Sequence, residues 1–204
     1  MFTHRPYGRQ PFSRRPTVRL LTFPEARVPA ELRSQVWQLQ ESAWPSGAPD
    51  PGLSHDPALA PESLLLVDGA RVLAALDLLI KEIGHDGGRY LARGLSCVVT
   101  DPAERGRGHG GRLVGAARAA VRESGADLGI FSCDRPLRAF YQGAGWAELP
   151  GAVLVGGTPE DPFPTDRPGF DKVVLADLCT ERARSAVWAH RRIALHPGTV
   201  DRLW

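Results

Sequence analysis

The chain has 204 residues, 43% of them hydrophobic, with 25 Lys and Arg against 23 Asp and Glu for a formal net charge of +2. That length supports one substantial core, and the composition excludes collagen-like, disordered and disulfide-scaffold classes. No apolar run reaches the ~18 residues of a membrane-spanning helix, and the small positive excess does not read as a nucleic-acid face. Cys97, Cys133 and Cys179 are odd in number and far apart, which favours a reducing cytoplasm, and none has metal-ligand spacing, so no metal is expected.

Residues 1–16 carry Arg5, Arg9, Arg14 and Arg15 before any acid and lack the apolar centre of a secretory signal. They read as a flexible basic arm ahead of a single domain over 17–204. Residues 17–23 alternate weakly and suit a first strand. Leu32, Val36 and Leu39 recur at helical spacing over 30–40, and Trp44-Pro45-Ser46-Gly47 stops that helix. A Pro-rich loop, 48–61, leads to strands at 63–68 and 71–81, whose Asp68-Gly69 junction signals a tight hairpin. After the turn at 85–88, residues 90–100 form a strand ending in Cys97, Val98, Val99 and Thr100.

From Gly111 the period becomes helical, with Leu113, Val114, Ala117, Ala120 and Val121 on one face. The run 128–131 is the next strand, and strand, Gly-rich loop, helix and strand form a right-handed crossover with parallel strands. Pro136 opens a short helix carrying Leu137, Phe140 and Tyr141, closed by Gly143 and Gly145. Residues 152–155 and 173–178 are expected to complete the sheet around an acidic, Pro-rich excursion at 158–169. Residues 183–194 are predicted as a last helix. The expected fold class is α/β, a twisted, largely antiparallel mixed sheet flanked by helices.

The strongest local signal is the turn Arg105, Gly106, Arg107, Gly108, His109, Gly110 and Gly111. Its glycines let backbone N–H groups crowd an anion at the start of a helix, and its arginines add charge. The pattern lacks the Lys-Ser/Thr ending of the Walker loop and the spacing of a dinucleotide fingerprint. Anion binding and a close-packing turn both remain open from these residues alone.

The segment Arg105 to Gly110, the preceding strand end and Ala139-Phe140-Tyr141-Gln142-Gly143-Ala144-Gly145-Trp146 together resemble the GNAT family of N-acetyltransferases. The resemblance implies an acetyl-CoA-dependent acyltransferase whose Gly-rich turn holds the cofactor pyrophosphate. Val98, Val99 and Thr100 would pair with the pantetheine arm. It also implies that Tyr141 donates a proton to the departing CoA sulfur; without it, Tyr141 reads as a packing residue of an amphipathic helix.

Within the family the sequence is most similar to aminoglycoside 2′-N-acetyltransferases. That likeness gives Ser132 an acceptor-side role and places Asp201 and Trp204 on a polyamine substrate, with one extra residue between them. It also departs from the subgroup: Ser96 stands where a glutamate is expected as base, leaving Asp77, Glu82 and Asp201 as substitutes. Asp161, Asp166 and Asp171, with Glu160 and Glu82, are candidates for a rim attracting a cation, or for an ordinary solvated loop. Cys97 and Cys133 read as small buried apolar groups, and His85 and His109 as polar surface residues of turns.

The function expected is direct acetyl transfer from acetyl-CoA to a primary amine of a small cationic substrate, such as an aminoglycoside 2′-amine. Protein or peptide acetylation and a weakly catalytic acyl-CoA-binding module are the alternatives. The expected partner is a small-molecule amine, with no nucleic acid and no membrane; a homodimer is left open.

Overall fold

The computed structural model describes residues 18–204; the basic arm 1–16 and Thr17 lie outside the described residues. In chain order the elements are β1 (Val18–Pro24), α1 (Ala30–Ala43), β2 (Glu62–Asp68), β3 (Arg71–His85), β4 (Gly88–Thr100), α2 (His109–Glu123), β5 (Leu128–Asp134) and α3 (Arg138–Gly143). There follow β6 (Ala147–Glu148), β7 (Val153–Gly157), β8 (Pro162–Pro164), β9 (Lys172–Leu178), α4 (Glu181–Ser185) and β10 (Arg192–Ala194). No helix among the described residues is long and apolar enough to cross a membrane.

A seven-stranded sheet runs in the order β1-β2-β3-β4-β5-β9-β6. All its pairings are antiparallel except β4 with β5, the crossover expected from the sequence. The β2–β3 hairpin turns at Gly69, whose φ of 61° is the left-handed conformation that the Asp-Gly signal requires.

Residues Val72 to Leu79 of β3 are all buried because helices cover both faces of the strand. On one face Leu65, Val67, Val72, Ala75 and Val99 meet Leu32, Val36 and Leu39 of α1. On the other, Leu64, Leu66, Leu76 and Leu78 share a cluster with Leu113, Val114, Ala117 and Val121 of α2. Asp77 is the one charged residue in that buried run.

Two expectations for the C-terminal third are corrected. Residues 153–157 do not complete the main sheet; β7 pairs with β8 and β10 in a separate three-stranded sheet. The predicted helix over 183–194 ends at Ser185, and residues 192–194 form β10. Helical propensity loses there to burial of Trp188, which is 3% exposed. Its ring stacks on His85 at 4.1 Å and its indole donates to the Ala183 carbonyl at 2.7 Å, so the chain leaves the helix to seat it. His85, expected at the surface, is therefore buried, with Nε2 at 2.8 Å from the Val187 carbonyl.

The main sheet's second half is anchored by Trp146, 2% exposed and set edge-on to Phe131 at 4.9 Å. It lies so close over Gly129 that a Cβ there would fall 2.6 Å from the indole. Trp146→Ala is expected to cost about 3–5 kcal/mol, measured as a shift of the urea midpoint at unchanged slope.

Candidate active site

β4 and β5 form only two ladder pairs, Ala92 with Leu128 and Arg93 with Gly129, and run unpaired beyond them. β4 also carries a bulge. Ala75 pairs with Val99 and Asp77 with Ser96, so Cys97 and Val98 together oppose Leu76. Cys97 takes a φ of 49°, uncommon for a residue with a side chain. The splay and the bulge open two cavities on either side of Tyr141.

The first is a groove of about 720 Å³ lined by Val98, Val99, Thr100, Arg105, Gly106, Gly108, His109, Gly110 and Gly111. Nine of the ten residues expected to hold the cofactor thus share one surface. Arg107 does not; it turns outward and pairs with Glu104 at 3.0 Å. The helix α2 starts at His109, two residues earlier than its apolar period suggests. Gly108 precedes it at φ 81° with no side-chain cap, leaving the first amides of the helix without partners. A Cβ on Gly111 would meet only open space, whereas one on Gly110 would press on Thr100 Oγ1 at 3.1 Å. Unmatched donors, a helix dipole and backbone free of side chains fit a diphosphate. Glu104, the acid in this groove, is paired with Arg71 and Arg107 at 3.0 Å each.

The second cavity, about 170 Å³, is lined by Trp44, Ser96, Cys97, Ser132, Cys133, Tyr141 and Trp204, with the ion pair Asp134–Lys172 at its edge. Val98, Leu137 and Tyr141 line both cavities. Tyr141 is 6% exposed, packed edge-on against Phe131 and Phe140, each at 4.9 Å. Burial, with Cys133 and Asp134 nearby, raises its phenol well above the usual range, so the hydroxyl keeps its proton. Burial likewise pushes the Cys133 thiol up to about 11, away from thiolate chemistry. Phe140 lines the groove wall and Trp146 lies in the core.

Ser132 and Trp204 are joined directly. The Ser132 amide and hydroxyl both donate to the Trp204 main-chain oxygen, at 2.8 and 2.7 Å. The Trp204 indole occupies the splay over Gly94, where a Cβ would sit 2.1 Å from the ring.

Asp201 is not part of this cavity's lining and lies instead in a cluster that the sequence did not reveal. His55, 4% exposed, has Nδ1 at 2.5 Å from Asp201 Oδ1 and Nε2 at 3.2 Å from Asp77 Oδ2. Asp201 Oδ2 also accepts from the Asp56 amide at 2.9 Å, and Asp77 Oδ1 from the Ser63 hydroxyl at 2.5 Å. Burial opposes charge on the imidazole, but hydrogen bonds to Asp201, Asp77 and Cys97 outweigh it and push His55 up to about 12. His55, Asp77 and Cys97 place donor atoms within 4.8 Å of one another, a spacing a cation could use. Both ring nitrogens already face carboxylates, so the cluster is satisfied as an imidazolium between two acids. Cys97 thus serves this cluster and the cavity wall, rather than simple apolar packing.

The remaining candidates are not brought to either cavity. Glu82 pairs with Arg89 on the surface, Asp161 with Arg202 at 2.8 Å, Asp166 with Arg192 at 2.5 Å and Asp171 with Arg135 at 2.7 Å. Four of the five acids expected to attract a cation, Glu82, Asp161, Asp166 and Asp171, thus each have their own guanidinium.

The profile of a family described as "Acetyltransferase (GNAT) domain" matches residues 22–149. The chain belongs to this family, whose members transfer acetyl from acetyl-CoA to amines. Among solved structures, Escherichia coli YhbS in complex with CoA superposes with a TM-score of 0.62 at 16% identity, over 93% of this chain and 94% of that one. An acyl-CoA N-acyltransferase from Pseudomonas aeruginosa gives 0.52 at 18%, over 78% of this chain and 99% of that one. A probable N-acyltransferase from Enterococcus faecalis gives 0.52 at 16%, over 65% of this chain and 33% of that longer one. At these identities the likeness is one of fold. No curated protein matches the sequence.

The His55 cluster makes stability depend on pH in a defined direction. The folded-state pKa of about 12 lies above the unfolded value, so the contribution is complete below ~pH 6.5 and fades as pH rises toward 12. His55→Gln is expected to cost about 3–5 kcal/mol near pH 6.5. Urea denaturation from pH 6.5 to 10 should show the gap between wild type and variant narrowing.

Proposed function

We propose that the protein transfers the acetyl group of acetyl-CoA directly to the primary amine of a small acceptor seated in the cavity beneath Tyr141. The observation that carries this reading is the position of Tyr141, the polar side chain shared by the walls of the groove and the cavity. The Gly106–Gly111 backbone and Arg105 hold the diphosphate, and the strand end Val98 to Thr100 aligns the amide-containing arm. Acetyl-CoA supplies the activated thioester. As the nitrogen bonds to the acetyl carbon and the C–S bond breaks, Tyr141, kept protonated by burial, gives its phenolic proton to the departing sulfur, and its phenolate takes up the proton that the acylated nitrogen sheds.

An attacking amine must be neutral. Asp77 and Asp201 are engaged by His55, Glu82 by Arg89, and Ser96 carries no carboxylate. In this reading the acceptor loses its proton to water before it attacks, and Asp201 holds structure instead of collecting the proton. The rate kcat/KM should then rise with pH until it levels at the acceptor's own pKa, moving with that pKa when the amine is changed. A plateau fixed at one pH for all amines would point to a base on the protein.

The cavity's size and its paired charges support a small, weakly charged amine. A 2′-amine of an aminoglycoside is the second reading, supported by Trp204 lining the cavity, three residues on from Asp201. Against it stand the arginine partners of Asp161, Asp166 and Asp171. A panel of monoamines, polyamines, aminoglycosides and peptides, followed by CoA release, decides between them. Turnover confined to aminoglycosides would replace the first reading with the second, and loss of acetyl-CoA binding would remove both.

Tyr141→Phe is expected to lower kcat by roughly a hundredfold with little change in acetyl-CoA affinity by calorimetry. An equal kcat would remove Tyr141 from the proton transfer.

A further inference from the structure

His55 lies outside the family-matched Gly-rich turn and touches neither the groove nor the cavity, yet it holds together three pieces of chain that shape the acceptor side. Its two nitrogens reach Asp77 in the centre of β3 and Asp201 in the terminal segment, and Cys97 of the β4 bulge lies beside it. We propose that His55 is a positioning residue for the acceptor half of the reaction, tying Asp201 to Asp77 so that Trp204 is held as the wall of the acceptor cavity. The proposal rests on the reading of that cavity as the acceptor site.

The position of Trp204 needs such a tie. The ring is 3% exposed and its Nε1 has no hydrogen-bond partner among the described residues. An orphaned buried donor disfavours the placement, so other contacts must hold it. Its ring packs into the main apolar cluster, and polar contacts fix the segment that carries it. Ser132 grips the main-chain oxygen of Trp204, the Gly157 amide donates to the Arg202 carbonyl at 2.7 Å, and the Asp201 carboxylate is fixed by His55 and the Asp56 amide. Of these, the anchor at Asp201 is the one that joins the segment to Asp77 of β3, through His55. The Pro-rich loop supplies that anchor, because Asp56 caps the turn that presents His55, with its carboxylate accepting from the Ala58 amide at 2.9 Å. No part of this tie enters the cofactor groove.

The test compares wild type with His55→Gln, Asp201→Asn and the double variant. Each is assayed for acceptor KM and kcat, acetyl-CoA affinity by calorimetry, and the fluorine resonance of Trp204 in 5-fluorotryptophan-labelled protein, assigned with Trp204→Phe. Each single variant should raise acceptor KM about tenfold or more and move the Trp204 resonance, with acetyl-CoA affinity within about twofold of wild type. The double variant, where a neutral amide pair replaces an unpaired buried acid, should recover part of the loss. Unchanged acceptor KM with an unmoved resonance would overturn the proposal, as would a parallel fall in acetyl-CoA affinity, the sign of general damage. If His55→Gln fails to fold, Asp201→Asn carries the same comparison with the imidazole intact. If wild type binds acetyl-CoA but acetylates none of the amines, the acceptor reading fails. The resonance then decides separately, a shift supporting the tie and its absence refuting it.

Discussion

The parting of β4 from β5 after two ladder pairs is the constraint on which the site depends. Backbone groups that leave a ladder must find other partners or remain open to a ligand. Each strand resolves this differently. β5 turns its other edge to β9 along its full length, Leu128 to Asp134, and so keeps its shape without β4. β4 stays paired with β3 but bulges at Cys97 and Val98, then ends against the turn that opens α2. The wedge between them is filled from below by Trp204 and bordered from above by Tyr141. One topological event thus opens the groove and the smaller cavity and leaves a single phenol between them.

How much of this was legible depends on how local the physics is. The Gly-rich turn declares itself because phosphate recognition by backbone needs adjacent residues, and the glycines at φ 77° and 81° are where the chain bends toward the groove. The hairpin at Gly69 and the apolar face of α2 are likewise written within a few residues. The helix expected over 183–194 failed for the opposite reason. Its local propensity was overruled by Trp188, whose partners His85 and Tyr90 lie about a hundred residues away. No window of sequence contains that contact.

The charged residues teach the same lesson more sharply. Read along the chain, Asp161, Asp166 and Asp171 form an acidic stretch; in the fold their arginines come from 41, 26 and 36 residues away. Sequence displays a charge without its partner, so it overstates how much of that charge is free to bind a substrate. His55 shows the converse. Its partners stand 22 and 146 residues away, at no spacing that marks a functional cluster, so nothing in the chain separates it from a loop histidine.

The consequence is chemical as well as architectural. A carboxylate can collect a proton from an ammonium only if it is not already held by a stronger cation, and Asp77 and Asp201 both face an imidazolium in a buried setting. Ser96, opposite Asp77 across the ladder, presents a hydroxyl and no acid. The two facts belong together. An acid at position 96 would add a third negative charge beside Asp77 and Asp201, leaving one imidazolium to balance three carboxylates at low dielectric. The two acids present are instead both engaged by His55, one from β3 and one from the terminal segment. If the acceptor sits in this cavity as proposed, its specificity comes from the shape that Trp44, Trp204 and the Ser132 contact impose, and only weakly from charge.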